Sequence, residues 1–448
     1  MKVGEPSRRG FFEASAGACI ALSSGAMRAG TPIDVTQGTH EGTVPDAANS
    51  SIELKASTKG IYTSSPILAP GSHAGMEWQE RWTGPMLWEK RAQNPILTAV
   101  KTDQGGLTTP SIFKEGDRLT LFYGSRPHIR LAYGSMSDMH TWRRHPNPVL
   151  SAGPPDAFDA AGVNGPEVVR VTDKHWRMYY VGYHPTHRQG NAPVHQLGVA
   201  ESEDSGMTWR RASKKAAIPH GPDGTYDGFS ASSCSVVRVG PEWWMWYGGI
   251  AQVPYLASIC LAKSSDGITW KKFEGNPVMR YNPYFPSDAI VVARPQVILE
   301  GSLFRMWYSA RGLTADSKSG DYRLCYAESA DGIHWDRFPG NPVVLPSAAG
   351  WDQKMVEYSE IVRDADGDHM WYCGDSYGSL GYAKGRAPAS VKVETRSGPA
   401  AVPDSSWSAW SPARKPVSGR YLQVRAMLET QDARVSPVVK NLQLRGTR

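Results

Sequence analysis

The stretch that decides the fold runs over residues 288–298 and reads Asp-Ala-Ile-Val-Val-Ala-Arg-Pro-Gln-Val-Ile. An Asp opens it, a Pro follows seven residues later, and an apolar run comes next. Four other stretches share this plan, with Pro, Cys or Ser at the seventh position, and they begin at Asp103, Asp159, Asp227 and Asp352. Successive aspartates are 56, 68, 61 and 64 residues apart. Self-similarity at a nearly constant period indicates a repeat architecture.

Each repeat continues with a second strand that ends in an aromatic pattern. Its tyrosine lies 20 or 21 residues after the Asp of the same repeat, at Tyr123, Tyr180, Tyr247, Tyr308 and Tyr372. A third strand follows, and then a turn with a Trp, as in Asp266-Gly-Ile-Thr-Trp270. Four short strands, five copies and a period of about 60 residues predict an all-β fold, a five-bladed β-propeller.

The fifth repeat lacks its outer strand, because no Trp turn follows Tyr382. A strand-like segment with its exit turn precedes the first repeat instead. We therefore predict that residues 86–97 complete the last blade and that residues 86–387 form the propeller. Pairing the two ends of the ring in this way leaves no unprotected sheet edge between its first and last blades.

The segments on either side of the propeller have alternating strand patterns. Residues 388–448 alone are too few to bury an ample core. We expect them to combine with residues 31–85 into a small β-sandwich, which resembles accessory modules of secreted carbohydrate-active enzymes.

Residues 1–30 have the pattern of a Tat export signal. The run Ser-Arg-Arg-Gly-Phe-Phe at 7–12 precedes an uncharged stretch over 14–27. A chance arginine pair in an ordinary N terminus is the alternative. The signal predicts a periplasmic or secreted protein. Of five cysteines, Cys19 lies in this signal, and we expect the others to be small buried hydrophobes.

Composition excludes several classes of function. The net charge of +6 is small for 448 residues and is not gathered into a basic block, which argues against nucleic-acid binding. No run of 18 apolar residues exists, so no membrane span is expected. No phosphate-binding loop, serine-nucleophile elbow or zinc HExxH motif occurs. We expect a monomer without a cofactor, and a structural Ca²⁺ in the central channel is compatible with the fold.

The loops that enter the first strands and those that follow the second strands share one face of a propeller. We expect this face to form a funnel of carboxylates, Arg, His and aromatic side chains, which suits a sugar. Glycoside cleavage needs two carboxyl groups there, one protonated and one ionised. A structural role in capping the loop is the alternative for an Asp that recurs in every repeat. The expected substrate-binding residues are Asp103, Glu167, Asp288, Arg294, Asp352, Arg126, His184 and Arg311.

Residues 86–386 resemble the five-bladed propeller glycosidases of glycoside hydrolase families 32, 43, 68, 117 and 130. The resemblance rests on the blade count, the x-Pro-x-Ile/Val first strand and the Met-Trp-Tyr second strand. It implies a catalytic base just before the first-blade Pro, where this chain has Thr109. It also implies a catalytic acid two residues before the Pro position of a later blade, which matches Glu357.

We therefore predict an exported glycoside hydrolase acting on a polysaccharide or oligosaccharide, with Glu357 as the acid. Asp159 and Asp227 are the expected base and electrostatic partner, and Glu167 and Glu360 are the next choices. Two alternatives remain open. One is a non-catalytic carbohydrate-binding propeller, and the other is a transferase, phosphorylase or lyase on the same scaffold.

Overall fold

The computed structural model describes residues 31–447, except 49, 56, 71–72, 83, 105, 190–191, 253–255, 313–320, 414–416 and 433. The twin-arginine segment and Cys19 lie outside the described residues. The described chain divides into two compact units. One is Trp88–Arg386, and the other combines residues 31–87 with Ala387–Arg448.

The described residues form strands and one short 3₁₀ turn, Asp375–Tyr377, with no α-helix among them. None of the described residues belongs to a helix long and apolar enough to cross a membrane. The strands in chain order are β1 (Thr31–Pro32), β2 (Gly38–Glu41), β3 (Thr43–Asp46), β4 (Ser51–Leu54), β5 (Lys59–Ser64), β6 (Ile67–Leu68), β7 (His73–Trp82), β8 (Leu87–Lys90), β9 (Leu97–Thr98), β10 (Thr108–Glu115), β11 (Arg118–Ser125), β12 (His128–Ser135), β13 (Arg143–Arg144), β14 (Val163–Arg170), β15 (Trp176–Gln189), β16 (Ala192–Ser202), β17 (Arg210–Arg211), β18 (Ser230–Val239), β19 (Glu242–Gln252), β20 (Leu256–Ser264), β21 (Lys271–Lys272), β22 (Val291–Glu300), β23 (Leu303–Arg311), β24 (Arg323–Ser329), β25 (Asp336–Arg337), β26 (Glu357–Asp364), β27 (Gly367–Cys373), β28 (Ser379–Arg386), β29 (Ala389–Gly398), β30 (Ser411–Pro412), β31 (Tyr421–Thr430) and β32 (Pro437–Thr447).

The larger unit consists of antiparallel four-stranded meanders, two of which are joined by one parallel pairing between β20 and β22 at Ala257 and Val291. Meanders 1 to 4 are β10–β13, β14–β17, β18–β21 and β22–β25. Meander 5 combines β26, β27 and β28 with β8, and the short β9 also pairs with β28. The expectation that a strand from before the first repeat completes the last sheet is therefore confirmed.

The first strands of the meanders contact one another in chain order, and β26 in turn contacts β10. Side chains at one equivalent position bond the backbone of the next first strand. The Ser111 hydroxyl accepts from Val168 N at 3.1 Å, and the Ser235 hydroxyl accepts from Val297 N at 3.0 Å. These contacts link each first strand to its neighbour, as a ring of sheets requires.

Aromatic side chains fill the space between consecutive meanders. The Trp246 indole N–H of meander 3 donates to Gly332 O at 2.9 Å, in the last turn of meander 4. The Tyr179 hydroxyl of meander 2 makes the same contact with Gly267 O in meander 3. Both aromatic side chains are fully buried, so each sheet covers the face of its neighbour.

The smaller unit has two antiparallel sheets. One has the order β1-β32-β4-β3 with β7 on β32, and the other has the order β2-β5-β31-β29-β30 with β6 on β31. Residues of both sheets, among them Ile52, Tyr62, Val424 and Leu442, share one buried core. Two sheets around one core form a sandwich, and its strands come from both ends of the described chain.

Candidate active site

Each of the five first strands is interrupted at one equivalent position, six residues after the repeat's Asp. The strand register shifts there, and the backbone of the residue turns left-handed. Left-handed backbone is costly for residues other than glycine, and such strain is concentrated at functional sites. The φ angles are 45° at Thr109, 56° at Gly165, 37° at Ser233, 52° at Arg294 and 54° at Tyr358.

These five bulge residues all line one cavity of about 750 Å³. A bulge re-aims a side chain out of the regular alternation of its strand, so bulges at one equivalent position of five neighbouring first strands direct five positions to the same space. A neighbouring pocket of about 450 Å³ shares four wall residues with this cavity and adds Arg126. We take the cavity as the candidate active site.

Meanders 1 and 2 supply a neutral, hydrogen-bonded part of the wall. The Thr109 hydroxyl donates to the Thr108 hydroxyl at 3.1 Å, which donates to Asn164 Oδ1 at 3.0 Å. The Asn164 amide then donates to the Tyr183 hydroxyl at 3.2 Å. The position to which the family resemblance assigns a base is therefore in the cavity, but Thr109 has no carboxylate.

Meanders 4 and 5 supply a cationic and aromatic part of the wall. The Arg294 guanidinium lies 4.7 Å from the Tyr322 ring centre and 4.1 Å from that of Tyr358. Arg311 lies 5.5 Å from the Tyr322 ring centre, and Lys354 lines the cavity beside these residues.

Glu357, the predicted acid, lies directly behind this wall and is completely buried. Its Oε2 is 3.0 Å from Arg294 Nη1. Burial raises the pKa of Glu357, and the positive charge of Arg294 opposes that rise. Tyr377, which lines the cavity, also interacts electrostatically with Glu357.

His195 reports the electrostatic character of the cavity. Its ring Nδ1 lies 3.1 Å from the Ser232 hydroxyl, and its ring packs edge-on against Tyr183. Burial lowers the pKa of His195 to about 3, and the charges of Arg294 and Arg126 add to that shift. The ring is therefore neutral at physiological pH, in surroundings that disfavour a further cation.

The five repeat aspartates lie elsewhere. Each is buried, bonds the second-strand tyrosine of its own meander, and pairs with a Lys or Arg of the fourth strand. The tyrosine hydroxyls approach at 3.0 Å for Tyr123–Asp103 and Tyr180–Asp159, and at 3.2 Å for Tyr247–Asp227, Tyr308–Asp288 and Tyr372–Asp352. The basic partners are Arg144 at 3.5 Å from Asp103, Arg211 at 2.8 Å from Asp159, Lys272 at 2.6 Å from Asp227, Arg337 at 2.6 Å from Asp288, and Lys90 at 2.6 Å from Asp352.

This placement differs from the expectation that Asp159 and Asp227 serve catalysis and that Asp103, Asp288 and Asp352 bind substrate. None of the five is among the described residues that line the cavity. The reason is that each carboxylate bonds the tyrosine and the basic residue of its own meander and so stabilises the loop that leads into it. This is the structural role expected as the alternative for a recurring Asp. Every basic partner lies two residues after a Trp, and this Trp-x-Lys/Arg pattern is a sequence signal that could have identified them.

Glu167 and Glu360 also have structural contacts. Glu167 Oε1 accepts from Val236 N at 3.0 Å and Glu360 Oε1 accepts from Ile112 N at 3.3 Å, each in the next first strand. Both belong to a narrow space below the bulges. Burial raises the pKa of Glu167 to about 7, and burial together with Glu167 raises that of Glu360. Glu167 thus lies outside the cavity, so the expectation that it binds substrate is wrong.

The remaining expectations are divided. Arg294 and Arg311 line the cavity, and Arg126 lines its neighbour, stacked 4.2 Å from the Tyr183 ring centre. His184 is described but is not among the cavity residues. Asp375 accepts from the backbone N–H groups of Lys354 and Met355 at 2.8 and 2.9 Å and so holds the loop that presents Lys354.

Much of the aromatic wall of the cavity, and one carboxylate, were not among the site residues expected from the sequence. The missed cavity residues include Tyr183, His195, Asp321, Tyr322, Lys354 and Tyr377. Tyr358 could have been found from its place before the fifth Pro-equivalent position, because all five such positions form the bulges. Tyr183 and His195 lie in β15 and β16, and the remaining residues lie in loops or in the 3₁₀ turn. Their positions follow no pattern that repeats from meander to meander.

Among the described residues, no group of three or more His, Cys, Asp or Glu side chains is placed to hold an ion. The Ca²⁺ suggested for the central channel stays a prediction. The four cysteines of the described chain, at 234, 260, 325 and 373, are buried and free.

Comparison with known proteins places the chain in a family. The uncharacterized protein Rv1502 of Mycobacterium tuberculosis strain H37Rv is 30% identical over 247 residues, which are 52% of this chain and 74% of that protein. This chain belongs to the family of Rv1502. The uncharacterized protein MT1551 of the Oshkosh strain matches to the same extent, at 30% identity over 247 residues. No family model matches the chain.

Solved structures show a related fold for this member of the Rv1502 family. A glycoside hydrolase has a TM-score of 0.53 at 18% identity, over 68% of this chain and 91% of that one. A glycosyl hydrolase from Bacteroides ovatus has a TM-score of 0.52 at 15% identity, over 67% and 94%. A structure from the GH130 family of mannoside phosphorylases, which contains glycoside hydrolases that target β-1,2 mannosidic linkages in Candida mannan, has the same values. The resemblance to propeller-type glycoside hydrolases is thereby confirmed at the level of the fold.

Proposed function

We propose that the five meanders are the blades of one closed five-bladed β-propeller, and that the protein is a carbohydrate-active enzyme that cleaves a glycosidic bond in the cavity. One observation carries the proposal: five bulges, four of them with strained non-glycine backbone, converge on a cavity walled by tyrosines, with a carboxyl of raised pKa directly behind it. Tyrosine rings pack against sugar ring faces, and the polar groups between them suit sugar hydroxyls. The likeness to solved glycoside hydrolases supports this choice.

Two carboxyl groups are available for the chemistry. Glu357 has a raised pKa and would supply the proton to the leaving oxygen, and Tyr377 connects it with the cavity. Asp321, on the wall, would serve as the ionised partner. Water adds to the anomeric carbon as the bond to the leaving oxygen breaks, and its released proton passes to the base.

The test measures reducing sugar released from a panel of polysaccharides and oligosaccharides. We expect Glu357→Gln to lower kcat at least about a hundredfold, because general acid catalysis contributes that much or more. Tyr377→Phe should cause a comparable loss if it links Glu357 to the substrate. Glu274→Gln, whose side chain is exposed in meander 3, is the matched control. Full activity in Glu357→Gln would remove the acid assignment.

A carbohydrate-binding protein without catalysis is the second candidate. It is favoured by the fact that Asp321 is the only carboxylate among the described residues that line the cavity. Retention on a glycan column, without product from any glycan of the panel, would support this candidate against the first.

We also propose export by the Tat route, on the twin arginine at positions 8 and 9. The paired substitution of Arg8 and Arg9 by Lys should keep the protein in the cytoplasm of its host. Unchanged export after that substitution would contradict this route.

A further inference from the structure

The charges of the cavity do not balance. Arg294, Arg311 and Lys354 line it together with the single carboxylate Asp321, and Arg126 lines the neighbouring pocket. Arg294 is paired with Glu357. Within the described part of the chain, neither Arg311 nor Lys354 forms an ion pair with a carboxylate, whereas all five repeat aspartates have a basic residue within ion-pair distance.

Both arginines are held in place by aromatic contacts, and each has one N–H group without a partner among the described residues. Both stack on the Tyr322 ring, at 4.7 Å for Arg294 and 5.5 Å for Arg311. The Nε–H groups of both are buried, with no hydrogen-bond partner in the described residues. A buried donor without a partner costs free energy. Arg91, Arg130, Arg144 and Arg177 of the described chain have the same unpartnered Nε–H outside the cavity, so it is the combination of this feature with a place on the cavity wall that points to a ligand. The planar guanidinium matches the two oxygens of an oxyanion.

His195 lies in the same electrostatic surroundings. Burial is the main cause of its lowered pKa, and the positive charges of Arg294 and Arg126, which come from different meanders, add to the shift. A third cation is therefore disfavoured in this part of the cavity, and an anion is favoured.

We propose that the saccharide bound in this cavity carries an oxyanion, a carboxylate or a sulfate, which lies against Arg294 and Arg311. The inference rests on the proposed function, since it names the class of saccharide that the same cavity takes. The neutral wall of Thr109, Asn164 and Tyr183 is left for the sugar hydroxyls.

The experiment measures binding of the full chain by isothermal titration calorimetry. The probes are oligogalacturonate, oligoglucuronate and sulfated chondroitin oligosaccharides, each beside its methyl-esterified or desulfated counterpart. We expect at least one acidic probe to bind at least about tenfold more tightly than its neutral counterpart, because a hydrogen-bonded charge pair contributes that much. The preference should weaken with rising salt.

Single substitutions test which residues cause the preference for the acidic probe. Arg311→Gln should reduce the preference for the acidic probe over its neutral counterpart to less than about threefold. Lys354→Gln, on an exposed loop, gives a smaller reduction and serves if Arg311→Gln does not fold. Arg143→Gln is the matched control, because Arg143 also stacks on a tyrosine, 4.8 Å from the Tyr133 ring centre, but outside the cavity.

Three outcomes would overturn the inference. Equal binding of acidic and neutral probes would remove the oxyanion while leaving the proposed function intact. Inorganic phosphate that binds beside a neutral saccharide and is consumed as glycosyl phosphate would show that the oxyanion is free phosphate. Binding of no probe, acidic or neutral, would overturn the proposed function together with the inference.

Discussion

Charged residues occur in two contrasting settings in the five-meander unit. In the loops that lead into the meanders, each buried aspartate has a tyrosine and a basic residue as partners, and the same trio recurs five times. In the cavity, Arg311 and Lys354 have no carboxylate partner among the described residues, and no two meanders supply the same side chain at the bulge. Repeated and matched charges serve the fold, whereas unrepeated and unmatched charges are what a ligand site retains at a cost in stability.

The largest expected effect comes from breaking one of the matched trios. Asp159→Ala leaves the Arg211 guanidinium and the Tyr180 hydroxyl without their acceptor. We expect the free energy of unfolding to fall by about 3 kcal/mol, as for a buried ion pair that loses one member. Urea unfolding measures it. Asp156→Ala removes an exposed pair with Lys214 and should change stability by less than about 0.5 kcal/mol. Equal effects of the two substitutions would mean that the buried Asp159 contacts stabilise the protein no more than an exposed ion pair does.

Lys90 tests whether the strand from before the first repeat is equivalent to the other fourth strands. Its Nζ donates to Asp352 at 2.6 Å and to Leu345 O at 2.7 Å. Lys90→Met should lower the free energy of unfolding by about 2 kcal/mol, because Asp352 stays buried without its charge partner. Lys271→Met, at an exposed pair, is the control. A change no larger than the control's, by urea unfolding, would mean that meander 5 does not depend on this contact.

Glu360 and Glu167 extend the comparison to buried carboxyls without a basic partner. Burial raises the pKa of both carboxyls, that of Glu167 from 4.5 to about 7. Between these two pH values the folded protein therefore binds more protons than the unfolded chain. Stability must therefore fall as pH rises from about 4.5 to about 7. Glu360→Gln keeps an acceptor for Ile112 N but cannot ionise, so we expect it to gain about 1 kcal/mol over the native protein between pH 5 and pH 8. Thermal unfolding across this range measures the gain, with Glu274→Gln as control. If the stability of Glu360→Gln changed with pH in the same way as that of the native protein, the raised pKa of Glu360 would be contradicted.

The smallest expected effect is also a gain in stability. Arg311→Gln removes an unmatched cation beside Arg294, so the unliganded protein should become more stable by about 0.5 kcal/mol, with binding lost as described above. Thermal unfolding without ligand measures it. A loss of stability as large as that of Asp159→Ala would mean that Arg311 is a matched structural residue like those of the lead-in loops.

Repeat features were accessible from sequence because they recur. The Asp, the Tyr 20 or 21 residues later and the missing outer strand after Tyr382 are local patterns, and the structure has a tyrosine–aspartate contact in every meander. The functional role of each repeated residue was harder to predict from the sequence. The same Asp pattern suits a loop cap and a catalytic carboxylate, and only the contacts of Asp159 with Tyr180 and Arg211 separate the two.

The candidate site shows the limit of local patterns more sharply. Arg294 was expected at the site because of its place before a Pro, and it lines the cavity. Glu357 was expected in the cavity, yet it lies behind Arg294, because the bulge turns the following residue, Tyr358, into the wall. A bulge changes which face a side chain occupies, and the sequence does not specify that change.

The order of residues along this chain was sufficient for the all-β class of fold, the five repeats and the place of Leu87–Lys90 in the last meander, because each follows from hydrophobic alternation and turns within about 60 residues. Which charges stand unmatched around the cavity was settled only in three dimensions. Asn164, Arg311 and Tyr377 come from three meanders far apart in the chain, and strand register and bulges decide that they share one space.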